Sequence, residues 1–143
     1  MLCIGSCKVD EKKGKNQQYM ILKNILLVVK NIERSKEFYQ KLFGLTVMND
    51  FGEKVIFSGG LVLQEQNIWE QVIGAETISG GNNSELYFET SDMDTFLEKL
   101  KNSEFEIHYV NELTEYPKDR RVVRILDLDC HIIEIGEAWN IRG

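Results

Sequence analysis

Two rhythms of apolar and polar positions run along this chain, and the same succession of rhythms occurs twice. Leu22 to Val29 is a nearly continuous apolar run rich in branched residues, the pattern of a strand covered on both faces. Asn31 then offers a side-chain oxygen to cap a helix. Ile32, Ser35, Tyr39 and Leu42 recur at helical spacing, flanked by Phe38 and Phe43, and predict a helix over Glu33–Phe43. Gly44 closes it, because a positive φ is most easily supplied by glycine. Strand-like runs follow at Leu45–Met48, Lys54–Ser58 and Leu61–Gln66, divided by turns at Asp50–Glu53 and Gly59-Gly60.

Adding 61 to Asn24 lands on Glu85, where the plan repeats. Glu85–Thr90 reads as a strand, Asp92 as a helix cap, and Asp94–Asn102 as a helix with Met93, Phe96, Leu97 and Leu100 on one face. Strands are predicted at Glu106–Asn111, Arg120–Leu126 and His131–Gly136, with Asp127-Leu128-Asp129-Cys130 as the last turn and Pro117 in the preceding loop. Between the units, Ile68, Trp69, Val72 and Ile73 suggest a short helix, and Gly80-Gly81-Asn82-Asn83 a flexible joint. A unit that cannot bury its apolar face alone must pack against another, and two such units side by side leave a cleft. The expected fold is therefore α+β: two paired β-α-β-β-β modules forming a curved mixed sheet around a cleft, with the helices outside. The expected boundaries are a flexible extension over 1–19 and one domain over 20–143, comprising module one at 21–66, a linker at 67–83 and module two at 84–137.

Composition narrows the partners. Hydrophobic residues make up 43% of the 143 and charged residues 28%, ordinary for a globular domain with a substantial core. The net charge of −6 comes without a basic block, which disfavours nucleic acid and anionic membrane surfaces. No apolar run approaches the ~20 residues of a membrane span. Ile4-Gly5-Ser6-Cys7 superficially resembles a lipoprotein cleavage box, but no basic residue and no long apolar stretch precede it. Cys3, Cys7 and Cys130 are an odd set without paired spacing, which predicts reduced thiols and a cytoplasmic location.

Val28 to Leu45, V-V-K-N-I-E-R-S-K-E-F-Y-Q-K-L-F-G-L, and Asp127 to Ile135, D-L-D-C-H-I-I-E-I, resemble the opening strand and helix and the closing turn and strand of the vicinal oxygen chelate superfamily. That superfamily includes glyoxalase I, bleomycin- and fosfomycin-resistance proteins and extradiol dioxygenases. The resemblance covers roughly residues 21–137. Leu128 and Cys130 stand where the family turn has proline and glycine. By position, the resemblance maps four metal ligands of the family onto Asn24, Leu63, Glu85 and Glu134. Leucine cannot ligate, so Asn24, Glu85 and Glu134 are the expected donors for a divalent ion (Mg, Mn, Ni or Zn), and the depleted set favours none.

Strand parity refines this implied site. It puts Asn24, Leu26 and Val28 on one face, Glu85, Tyr87 and Glu89 on another, and Ile132, Glu134 and Gly136 on a third. Facing one cleft, these supply three carboxylates, an amide and a phenol, with Leu63 opposite and Trp69 near the mouth. Crowded carboxylates shift upward in pKa and can serve as general bases. The alternative is that Glu85 and Glu89 face solvent and that Arg121 or Arg124 pairs Glu134. His131 alternates away from Glu134 and is expected on the surface. Two functions follow. One is a glyoxalase-like enzyme using Glu134 or Glu85 as base, and the other a metal-free binder of a small molecule, as in bleomycin resistance. The resemblance also implies a homodimer joined through the edges of the leading strands.

Overall fold

The computed structural model describes residues 19–116 and 120–138. Residues 1–18 of the expected extension over 1–19, with Cys3 and Cys7, and Pro117 lie outside the described residues. The element order is β1 (Ile25–Val29), α1 (Ile32–Phe43), β2 (Val47–Asp50), β3 (Lys54–Phe57), β4 (Leu61–Glu65) and α2 (Gln66–Ile73), then β5 (Glu85–Thr90), α3 (Met93–Lys101), β6 (His108–Tyr116), β7 (Arg120–Leu126) and β8 (Ile132–Glu137). Each helix begins where a side chain satisfies the free amides of its first turn. Asn31 accepts from the Arg34 amide (3.0 Å), Glu65 from that of Asn67 (2.6 Å), and Asp92 from that of Thr95 (3.0 Å). Gly44 ends α1 at φ 65°.

Each unit makes a four-stranded mixed sheet, ordered β1-β4-β3-β2 and β5-β8-β7-β6. The leading strand runs parallel to the closing strand in both, with Leu27 opposite Leu63 and Tyr87 opposite Glu134. Among the described residues this gives two β-α-β-β-β modules, as the 61-residue offset predicts. One apolar core serves both. Phe38, Tyr39 and Leu42 of α1 join Leu63 of β4, Phe96 and Leu100 of α3, and Ile133 and Ile135 of β8. Phe43 stacks on Phe88 with ring centroids 4.4 Å apart, tying the end of the first helix to the second sheet.

β2 lies at Val47–Asp50, two residues later than expected, and two further strands differ more. β1 begins at Ile25 rather than Leu22, because pairing with β4 starts at Ile25–Leu61; Tyr19 to Leu22 precede it, exposed. Close approach fixes that start, since a Cβ on Gly60 would lie 2.9 Å from the Lys23 carbonyl oxygen. β6 runs on to Tyr116 instead of stopping at Asn111. Irregularities at Tyr109–Asn111 and Asn111–Thr114 interrupt its register, which then resumes against β7 and hides the strand from a period-two reading.

The final turn locks the two units together. Asp127, buried at 5% exposure, accepts from Tyr39 of α1 (2.6 Å), from the amides of Asp129 (2.9 Å) and His131 (2.8 Å), and from His131 Nδ1 (2.7 Å). Asp129 accepts from the Lys30 amide (3.0 Å) and the Ser35 hydroxyl (3.4 Å). His131 is thus half-buried in a network rather than a surface histidine. Cys130 sits at φ 67°, the only positive φ outside glycine among the described residues. An L-residue pays roughly 1–2 kcal/mol there. Glycine would relieve that strain at some cost in unfolded-state entropy, so Cys130→Gly is expected to raise stability by about 0.5–1 kcal/mol. A urea unfolding midpoint at or below that of the parent would show the turn to be unstrained.

Candidate functional site

The side chains that parity singled out in β5 and β8 lie on the face of the second sheet that turns away from the core. Leu86 and Phe88 of β5 and Ile133 and Ile135 of β8 pack inward, which sends Glu85, Tyr87, Glu89, Ile132, Glu134 and Gly136 to the other face. Arg124 lies opposite Glu134 in the β7–β8 pairing, and Arg124 Nη2 meets Glu134 Oε1 at 2.7 Å. Arg124 Nη1 also donates to Asn111 (3.1 Å) and reaches the Tyr116 hydroxyl (3.5 Å). The pair is well shielded: the Glu134 side chain is 13% exposed and that of Arg124 27%.

Glu85 completes the cluster. Glu85, like Tyr87 and Glu89, is exposed to solvent, as the alternative reading expected; partial desolvation still pushes its carboxyl above the ordinary pKa, and the charge of Glu134 adds to the rise. A hydrogen bond between the two carboxyls acts in the same direction, while Arg124 pulls the other way. Farther along the strand, Tyr87 donates to Glu89 (3.0 Å) and contacts Arg120, whose guanidinium lies 5.7 Å from the Tyr87 ring centroid. Gly136 makes room for this pair, because a Cβ there would lie 2.6 Å from both Tyr87 Oη and Arg120 Nη2. Glu85 and Tyr87 border a cleft of about 380 Å³ between β5 and the start of β1, together with Ile25 and the Gly59-Gly60 turn.

The remaining expected residues fare differently. Leu63 is fully buried in the core and does not face the cleft. It pairs with Leu27, an inward residue, whereas Leu26 and Val28 pair with Val62 and Gln64. Placing Leu63 opposite Asn24 therefore slipped by one residue, which turns the side chain to the wrong face. Gln64 holds the outward position and spends its amide on the Glu53 carbonyl (2.9 Å). Asn24 precedes β1, exposed, and makes no side-chain hydrogen bond among the described residues. Trp69 is half-buried on α2, which packs against β1 and β4, and it lines neither of the clefts that Glu85 lines. Tyr116, expected in a loop that could cover the mouth of the cleft, instead ends β6 and reaches Arg124 beside Asn111. The arginine alternation of β7, Arg120 and Arg124 on one face, was the available signal.

A divalent ion does not fit these residues. Among the described residues no three His, Cys, Asp or Glu side chains converge to hold one. The chemistry of the donors says why: a guanidinium already supplies the positive charge beside Glu134 and Glu85, so a dication there would meet repulsion.

The model of the glyoxalase-like domain matches residues 22–140. The chain belongs to the glyoxalase-like family. The vicinal oxygen chelate superfamily suggested by its strands is accordingly its own. No curated protein matches the chain. A solved protein of unknown function from Agrobacterium tumefaciens is 31% identical, with TM-score 0.74, over 87% of this chain and 98% of that one. A lactoylglutathione lyase from the same organism shares the fold at 19% identity and TM-score 0.61, over 85% and 96% of the two chains. So does a fosfomycin resistance protein from Listeria monocytogenes, at 16% identity and TM-score 0.62, over 88% and 97%. At these identities the last two speak to fold alone, since this fold hosts unrelated chemistries. Among the described residues no helix is long and apolar enough to cross a membrane.

Proposed function

We propose that this glyoxalase-like protein binds a small organic molecule without a metal, on the face that carries Glu85, Glu134 and Arg124. The observation that supports it is the Arg124–Glu134 ion pair, which places a fixed cation where metal-dependent relatives would need open donors. The ligand would offer amine or hydroxyl donors to Glu85 and Glu89 and an aromatic or apolar body to Tyr87 and Ile25. A second reading has its own support: a carboxyl with raised pKa beside a carboxylate is suited to proton transfer, so Glu85 would act as general acid or base.

Glu85→Gln separates the two once a ligand is found by thermal-shift screening. The binder loses affinity by about 1–3 kcal/mol, the worth of a hydrogen bond to a charged group. An enzyme instead keeps its affinity and loses turnover by roughly 10²–10⁴. Neither change would remove Glu85 from the site. We also propose that two copies pair. β6 is exposed over its whole length, and Tyr109, Val110 and Leu113 present apolar surface along this sheet edge. Elution as a monomer at micromolar concentration would contradict pairing.

A further inference from the structure

Two adjoining clefts, of about 130 Å³ and 180 Å³, open beside the Asp127 turn and share Gly81, Ser84 and His131 in their walls. The turn prepares His131 for proton transfer. Each oxygen of buried Asp127 takes two hydrogen bonds: Oδ1 from the amides of Asp129 and His131, Oδ2 from the Tyr39 hydroxyl and His131 Nδ1. A carboxylate only accepts, so Nδ1 carries a hydrogen and Nε2 is left to bind or release a proton. Nε2 has no partner among the described residues. It is also open to solvent, since the only buried side-chain nitrogen or oxygen without a partner among those residues is Thr77 Oγ1.

A hydroxyl stands next to this nitrogen. β5 and β8 pair in parallel from Glu85–Ile132 onward, so one residue earlier Ser84 lies beside His131, on the side of Leu86 and Ile133. Ser84 is exposed, and its hydroxyl makes no hydrogen bond among the described residues, to His131 or to any other. Contacts of this kind are commonly long before substrate binds and tighten around it. Asn83 borders the second cleft and offers an amide donor where negative charge would develop. We propose that Ser84, His131 and Asp127 form a nucleophile, base and orienting group that hydrolyse small esters with short acyl chains. Ser84 Oγ bonds to the ester carbonyl carbon while its proton passes to Nε2. The bond to the alcohol oxygen then breaks, and that proton leaves with the alcohol. Water adds to the acyl group by the same route, releasing the carboxylic acid and restoring the serine. Ile25, Leu27, Leu86 and Ile132 wall the first cleft, whose size of about 130 Å³ suits an acetyl or propionyl group. Glu85 borders this cleft, but the relay uses neither Glu134 nor Arg124, so it and the function proposed above can fail separately.

Hydrolysis of p-nitrophenyl acetate by the full chain tests it. Ser84→Ala, at an exposed position, and His131→Gln should each lower kcat/KM roughly 10²–10⁴-fold. Cys130→Ser should leave it unchanged, which separates the relay from the neighbouring thiol. Neutral imidazole is the base, so kcat/KM should rise with pH. Burial acts to lower the His131 pKa, but the Asp127 hydrogen bond and the charges of Asp127 and Asp129 place the midpoint above 6.5, with Tyr39 sharing Asp127 and Glu85 across the cleft. Phenylmethanesulfonyl fluoride should add to Ser84, read by peptide mass. Turnover no faster than that of the heat-unfolded chain overturns the proposal. So does hydrolysis that survives Ser84→Ala, or a sulfonyl adduct elsewhere with Ser84 unmodified.

Discussion

Replacing Asp127 by alanine is expected to lower stability by about 3–5 kcal/mol, the loss typical when one partner of a buried charged network is removed. Four donors converge on this carboxylate, from Tyr39, from the Asp129 and His131 amides, and from His131 Nδ1. Alanine leaves all four without an acceptor at the junction of the two units. Urea unfolding of parent and variant measures the difference, and a change below about 1 kcal/mol would mean that water replaces the carboxylate at little cost. A pH signature accompanies it. Burial acts to lower the pKa of His131, but the Asp127 hydrogen bond and the charges of Asp127 and Asp129 outweigh it and raise the value above 6.5. The folded state then binds more protons than the unfolded one. Stability from this pair is fully present below pH 6.5 and is lost as pH climbs through the raised folded value. Asp127→Asn should flatten that slope.

Arg124→Gln should have the second largest effect. It removes the cation from two adjacent carboxyls while keeping a polar side chain in place. Breaking a fully buried pair costs about 3–5 kcal/mol, and the residual exposure of Arg124 reduces this to an expected 1–3 kcal/mol at neutral pH. The pKa of Glu85, already raised by burial and by Glu134, should rise further without Arg124 to oppose it. A carboxyl with a raised folded pKa is stabilising when protonated, so stability lost at pH 7 should be partly regained on acidification toward pH 5. Unfolding at the two pH values checks the sign. A loss that grows on acidification would show that Arg124 does not neutralise this pair.

The sequence was most legible where local chemistry and burial agreed. Asn31, Gly44 and Asp92 mark helix ends by their own hydrogen-bonding and backbone preferences, and no tertiary contact overrides them. Parity correctly sent Glu85 and Glu134 to one face because inward Leu86, Phe88, Ile133 and Ile135 alternate with them. It failed at Leu63, since Leu61 to Gln64 is buried throughout and offers no contrast between faces. The pairing of β4 with β1 decides that register, and pairing is a tertiary fact. His131 was misjudged for a related reason: its alternation away from Glu134 points it inward, where Asp127 makes a charged ring tolerable. The Arg124 ion pair was readable only as one of two options, because Arg121 turns instead to Asp94 and Glu137 on the opposite face.

The claim on which the proposed function rests is that Arg124 takes the place of a metal beside Glu134 and Glu85. Elemental analysis of the full chain, purified with and without supplementary Mg²⁺, Mn²⁺, Ni²⁺ and Zn²⁺ and then desalted, tests this most directly. The account predicts far less than one ion per chain in every case, and the same content in Glu134→Gln as in the parent. One retained ion per chain, lost on Glu134→Gln, would contradict it.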